Sequence, residues 1–264
     1  MRGANYHIPL DRYLPAVEIV LKTFVFASDL HGDHQDHSSV EALLKFCESF
    51  NPDVRIFGGD LFDFRNIRRG AGPAEKQDSM AADVEAGMQF LADFRPNVFL
   101  LGNHDKRLWD TAKYSEYGMV SDAAAQGIRD IEKKCRSLRC KIFPYVSNEG
   151  VYQLGKMRFV HGYHAGIYAT KKHAEIYAPS GGIVLHGHTH AIQYHTVPRL
   201  NGGSGMGVGC LANLNMEYNV AQTGRMMHQH GFAYGYSDKD DWQAWQAKEG
   251  KNGKWVVAKQ IMTL

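Results

Sequence analysis

One unit recurs through the first half of the chain: a short apolar run, an abrupt polar loop and a helix. KTFVFAS (22–28) is β-branched and aromatic and ends at the polar segment DLHGDHQDH. Ser38, with Glu41 three residues on, reads as a capping box, and Val40, Leu43, Leu44 and Cys47 keep helical spacing up to Asn51 and Pro52. DVRIFGG (53–59), a long polar loop and the helical AEKQDSMAADVEAGMQFLADF (74–94) repeat the unit, and NVFLLG (97–102) opens it a third time. Strands that alternate with helices are joined by crossovers, so the pattern predicts an α/β fold around a parallel sheet.

Beyond this the texture changes. Residues 111–139 read as largely helical, with Ile128, Ile131, Cys135 and Leu138 on one stripe, and we expect 110–140 to form a helical insertion. From 140 the short runs KIFPYV, VYQLG and MRFV, separated by Asn148-Glu149-Gly150 and by Gly155, predict a mixed or antiparallel second half. A helix around 167–178 leads to GIVLHGHTH, and in the tail, 191–264, Gly-rich joints separate strands such as GFAYGYS and KWVVAKQIM. No internal repeat or linker interrupts the chain, so one domain over 1–264 is expected, with 1–20 as an N-terminal arm. Thirty Lys and Arg against 28 Asp and Glu leave a net charge of +2, too little for a global field that attracts polyanions or anionic membranes. The four cysteines form no C-x-x-C pair and read as reduced and buried. No apolar run nears the roughly 18 residues of a spanning helix, and the start lacks an apolar signal core, which predicts a soluble cytoplasmic protein.

The chemistry lies where the apolar runs stop. Asp29-x-His31 ends the first, Gly59-Asp60 the second, Gly102-Asn103-His104-Asp105 the third, His161-Gly162 a later one, and Gly187-His188-Thr189-His190 the last. In open α/β sheets ligands bind beyond the carboxyl ends of the strands, so these segments are expected to converge. Alternation lets Asp29 with His31, and His188 with His190, present two ligands to one side. The set Asp29, His31, Asp60, Asn103, His161, His188 and His190 offers carboxylate, imidazole and amide oxygen without thiolate, which suits Mn, Fe, Zn, Co or Ni. Seven ligands exceed one tetrahedral ion but serve two divalent ions bridged by a carboxylate.

The order Asp-x-His, Gly-Asp-x-x-Asp, Gly-Asn-His-Asp, His-Gly and Gly-His-x-His resembles the calcineurin-like metallophosphoesterases, with the motifs spanning residues 29 to 190. The resemblance implies a four-layer α/β/β/α sandwich of mixed sheets flanked by helices. It implies one ion on Asp29, His31, Asp60 and His190 and a second on Asp60, Asn103, His161 and His188, with Asp60 as the bridge. Manganese is the foremost choice, with Fe, Zn, Ni, Co or Mg as alternatives. His104 is then the imidazole that binds the phosphate or protonates the leaving group, Asp105 orients it, and phosphodiesters are hydrolysed by in-line attack of a metal-bound hydroxide. The chain lacks the Gly-Asn-His-Glu of the Ser/Thr phosphatases, and it has His104 where the bacterial lipid A diphosphatases carry Arg. Recombination exonucleases share GDLF and GNHD but need more chain, and GCLANLNMEY (209–218) is similar to small phosphoesterases of phages and prophages.

Outside the motifs, His34, His164 and Arg107 are candidates for phosphate contact, and Asp63 is expected to support the second loop. Asp33 and Asp36 read as solvated, and His186 and His195 as packing groups. Arg129 to Arg158 holds eight basic residues against three acidic ones, a pattern that most simply forms a solvated helix face. If such a surface borders the site, it and Arg65, Arg68, Arg69, Lys106 and Arg107 could steer DNA, RNA or a nucleotide. Two other readings stay open: a broad-specificity phosphomonoesterase, and a non-catalytic metal-binding scaffold.

Overall fold

A computed structural model of the chain describes residues 21–215 and 227–258. The arm expected over 1–20, residues 216–226 of the tail and the end of the KWVVAKQIM run lie outside the described residues.

Alternation within each strand assigns the layers. β1 (Lys22–Ala27) turns Phe24 and Phe26 to one face and Val25 and Ala27 to the other. β2 (Val54–Phe57) and β3 (Val98–Leu100) divide in the same way, Val54, Ile56, Val98 and Leu100 facing one side and Phe57 and Phe99 the other. Strands buried on both faces explain why these runs are apolar throughout. With β4 (Lys141–Phe143) they form a parallel set, and β10 (Gly231–Ser237), β11 (Trp242–Glu249) and β12 (Trp255–Val256) extend it antiparallel from β1 into a seven-stranded mixed sheet.

A second mixed sheet has five strands in the order β5-β6-β7-β9-β8: β5 (Val151–Leu154), β6 (Met157–Val160), β7 (Ile183–His186), β9 (Ser204–Val208) and β8 (Ile192–Thr196). β6, β7 and β9 are parallel. The sheets pack face to face through Phe24, Phe26, Ile56 and Val98 on one side and Met157, Phe159, Ile183 and Leu185 on the other. The Phe159 ring lies 5.2 Å from that of Phe24 and 5.4 Å from that of Phe26.

Helices close both outer faces. α1 (His37–Phe50), α3 (Met80–Phe94) and α5 (Gly118–Ser137) bury Leu43, Cys47, Phe90, Phe94, Ile131 and Cys135 against the first sheet. α6 (Ala169–Tyr177) sets Tyr177 on Val160 and Val184 of the second. The result is the expected α/β/β/α order of two mixed sheets flanked by helices.

Local boundaries differ from the sequence reading for identifiable reasons. α1 is capped by Asp36, whose carboxylate accepts from the backbone N–H and the hydroxyl of Ser39, so neither Ser38 nor a solvated Asp36 is found. The helix read over 74–94 is two, α2 (Pro73–Gln77) and α3, because Asp78 is extended and the Ser79 hydroxyl caps the second at Ala82. The helical stretch read over 111–139 begins earlier, as α4 (Lys106–Tyr114), and breaks before α5 where the Ser115 hydroxyl accepts from the Tyr117 N–H. β4 completes the parallel set, so the change of texture comes at β5 and not at residue 140.

Candidate metal centre

The carboxyl ends of β1, β2, β3, β6 and β7 meet at one edge of the two sheets, and their loops are joined there. Leu30 and His31 donate their backbone N–H to the carbonyl of Asp60, and Gly187 donates to that of His161. The His188 N–H donates to both oxygens of Asp29. Asp29, His31, Asp60, His188 and His190 all have positive φ between 50° and 65°. Five non-glycine residues in this sparsely populated region mark local strain that the surrounding structure must hold. Gly102 and Gly187 allow the close packing: a Cβ at Gly102 would lie 2.1 Å from Asp60 Oδ1, and one at Gly187 would lie 2.3 Å from Asp29 Oδ2.

Three groups of ligand atoms result: Asp29 with His31 and His190, Asp60 with His161 and His188, and His31 with Asp63 and His104. In the first, His31 Nε2 lies 3.1 Å from His190 Nε2, which is 3.4 Å from Asp29 Oδ1. In the second, His161 Nε2 is 3.0 Å from Asn103 Oδ1 and 3.3 Å from Asp60 Oδ2. Asp60 Oδ2 stands between the groups, 3.9 Å from both His31 Nε2 and His104 Nε2. All seven residues expected as ligands are thereby brought together.

The donor chemistry of these residues fits divalent cations. His161 Nδ1 is 2.7 Å from the carbonyl of Gly58, an acceptor, so Nδ1 carries a proton there and Nε2 of the neutral ring turns its lone pair toward Asp60 and Asn103. His31 Nδ1 faces Asp63 Oδ1 at 3.3 Å and likewise leaves Nε2 as a lone pair aimed at His190. Lone pairs that converge on one another in a buried site call for a cation or for extra protons. The electrostatics carry the same tension. Burial alone would raise Asp29, yet the hydrogen bond and charge of His190 hold its carboxyl at about 2. Against burial, His161 and His104 hold Asp60 well below the usual carboxylate range. Burial lowers His161, but the charge and hydrogen bond of Asp60 outweigh it and raise the ring to about 9. Burial and the charge of His161 push His188 down to about 4.

Around the ligand groups the structure separates the other candidates. His104 is held by Asp63, whose Oδ1 is 2.5 Å from His104 Nδ1, while Nε2 turns to Asp60. Asp105 does not reach it; its two oxygens accept the N–H groups of Phe62 (3.0 Å) and Gly102 (2.8 Å), and burial with the charge of Asp60 raises its carboxyl to about 7. The sequence reading therefore named the wrong orienting carboxylate, although Asp63 stood in the Gly-Asp-x-x-Asp motif. Asp63 also gathers His34 Nδ1 at 3.6 Å and Arg65 at 3.8 Å from Oδ2. Arg107 donates to the Asp63 carbonyl at 2.6 Å. His34 and Arg107 thus border the edge, whereas His164 is brought to α6, its ring 5.2 Å from that of His173.

Arg65 is buried and forks onto Asp33 (2.7 and 2.8 Å) and Asp78 (2.6 Å), so it is structural and Asp33 is not simply solvated. Arg158 is also buried, donating to the carbonyl of Tyr177, which removes it from any solvated basic face. His228, which the sequence left unplaced, lies beside the first group with its ring 4.8 Å from that of His190. Nothing in its local sequence marks it, because a long-range bridge between Ala191 and His228 brings it there.

The family model described as calcineurin-like phosphoesterase matches residues 22–191, well over half of the chain. The chain belongs to the calcineurin-like phosphoesterase family, a family of metal-dependent phosphoester hydrolases, as the motifs had implied. No curated protein matches it in sequence. Among solved structures it is similar to vacuolar protein sorting 29 from Cryptosporidium parvum, at 14% identity and a TM-score of 0.48, covering 90% of this chain and 96% of that one. It is also similar to the phosphoesterase Yfce from E. coli, at 14% identity and a TM-score of 0.41, covering 85% and 97%. A metallophosphoesterase from Sphaerobacter thermophilus matches at 14% identity and a TM-score of 0.44, covering 86% and 88%. Among the described residues no helix is long and apolar enough to cross a membrane.

Proposed function

We propose that the chain hydrolyses phosphodiesters with two divalent ions, Asp29, His31, Asp60 and His190 holding one and Asp60, Asn103, His161 and His188 the other. The observation that carries this reading is the position of Asp60 Oδ2 between the two ligand groups, with His104 Nε2 3.9 Å away and held from behind by Asp63. Bound ions supply Lewis acidity toward the phosphoryl oxygens and a nucleophile activated at neutral pH. The protein's own part is orientation and proton transfer. Asp63 accepts from His104 Nδ1 and orients the ring, so that in the imidazolium form its Nε2–H would bind the phosphate or pass its proton to the leaving oxygen. His34 and Arg107, both gathered by Asp63, are the further candidates for phosphate contact, and Asp105 secures the loops of Phe62 and Gly102. His164 is not assigned this role, since its ring packs 5.2 Å from that of His173 on α6.

A diester is favoured over a monoester because the edge continues past Arg107 into an open basic groove, which a terminal phosphate on a small alcohol would leave unused. The test is turnover of bis(p-nitrophenyl) phosphate against p-nitrophenyl phosphate after stripping the protein and restoring Mn, Fe, Ni, Co, Zn or Mg, with Asp60→Asn as control. Faster diester turnover that is lost in the control supports the reading. Faster monoester turnover overturns the diester preference, and no turnover with two ions bound per chain overturns the enzymatic reading.

A further inference from the structure

A groove of about 650 Å³ opens beside the site, lined among others by Arg68, Arg69, Lys76, Arg107, Asp110 and Tyr114. Arg107 ties it to the chemistry, since the same guanidinium donates to the carbonyl of Asp63, the residue that holds His104. Four cations line the groove against one carboxylate, and that carboxylate is already met by Lys106. Arg68 is paired with Glu75 at 2.6 Å, while Arg69 and Lys76 are exposed and make no ion pair among the described residues. Along α4 the groove is also lined by one aromatic side chain, Tyr114, which is 65% exposed. Lys113 Nζ sits 5.0 Å from the centre of the Tyr114 ring and covers one face.

We propose that this groove binds a single-stranded nucleic acid, with backbone phosphates on Arg69 and Lys76 and an unpaired base against Tyr114, so that the strand enters the metal edge past Arg107. Two unpaired cations suit a partner that repeats its anion along a chain. An exposed ring suits a partner that offers free base faces, which a duplex keeps stacked on one another. The basic residues alone would serve any anion; the exposed Tyr114 ring selects the single strand. The proposal rests on the phosphodiesterase reading for what happens to the strand once bound, but not for the binding itself.

The test uses the full chain and a fluorescein-labelled 12-nucleotide oligodeoxythymidine, with oligouridine and a 12-base-pair duplex as comparisons. Binding is read by fluorescence anisotropy across a salt series in EDTA, where no cleavage occurs. The expected result is that R69A/K76A weakens binding about tenfold and lowers the slope of log affinity against log salt by about 1.4, the share of two single-strand phosphate contacts. Y114A is expected to weaken binding about fivefold or more with the slope unchanged. The far-ultraviolet circular dichroism and melting temperature of the variants should match those of wild type, which shows that they fold. Equal binding by wild type and both variants, no binding by wild type, or tighter binding of the duplex each overturns the proposal. Oligonucleotide binding with this variant pattern but no small-diester turnover would uphold the groove and sink the phosphodiesterase reading, and the reverse result would do the opposite.

Discussion

Asp63 carries more of the site's order than any ligand does. One oxygen serves both His31 and His104, the other faces His34 and Arg65, and its carbonyl receives Arg107. Asp63→Asn should leave two metals per chain and lower kcat about 10- to 100-fold, the usual cost of removing a partner that orients catalytic imidazoles. Kinetics together with metal analysis check this, and unchanged kcat would show that His104 is held by something else. Asp105→Asn should behave differently. Both Asp105 oxygens accept backbone N–H groups, so an amide turns a donor against one of them and costs about 1–3 kcal/mol of stability. Chemical denaturation reads that loss, and a variant as stable as wild type would refute the role. The two neighbouring acids were hard to separate in the sequence because Asp105 adjoins His104 along the chain, whereas Asp63 reaches it only through the fold.

At the scale of elements, α6 supports the site from behind. His173, buried on α6, accepts backbone N–H from Tyr163 at 2.8 Å and His164 at 3.3 Å, and so holds the loop that follows His161. Burial, and next the neighbouring His186, hold His173 neutral down to about 2. The folded ring therefore stays unprotonated where an unfolded histidine, near 6.5, takes up a proton. Stability is lost as pH falls below about 6.5, and this residue's share reaches about 2 kcal/mol at pH 5. His173→Gln keeps an acceptor but cannot titrate; its melting temperature should be lower at pH 7 and fall less between pH 7 and pH 5 than that of wild type. An equal fall in both would remove His173 from the account. Elements of this kind define the reach of sequence reading. β1, β2 and β3 were legible because their unbroken apolar runs and their polar stops are local, and the seven candidate ligands were legible because each lies at such a stop. The break at Asp78, the division between α4 and α5 and the approach of His228 to His190 depend on side-chain caps or on pairing across distant segments, which periodicity does not encode.

For the whole molecule, the two ligand groups are assembled from both sheets. Asp29, His31, Asp60 and Asn103 follow strands of the first, while His161, His188 and His190 follow strands of the second. The distance between them is set by the layer in which Phe159 packs on Phe24 and Phe26. On the proposed assignment each ion would be held by residues from both sheets, which couples binding to their docking and not only to the order of one loop. Phe159→Ala should cost about 3–5 kcal/mol through the cavity it leaves. Because the variant loosens the layer that sets the ligand spacing, it should also weaken metal binding, although it touches no ligand. Conversely, metal at about 100 times its Kd should stabilise wild type by about 2.7 kcal/mol for each ion bound, a rise of several degrees in melting temperature. Thermal unfolding with and without Mn, in wild type, Asp60→Asn and Phe159→Ala, separates the contributions. Asp60→Asn should lose most of the metal-dependent rise because it removes the shared ligand, and Phe159→Ala should retain the rise only at higher metal concentration. The same rise at the same metal concentration in all three proteins would mean that the ion stabilises the fold elsewhere, and the coupling between sheet docking and the site would fail with it.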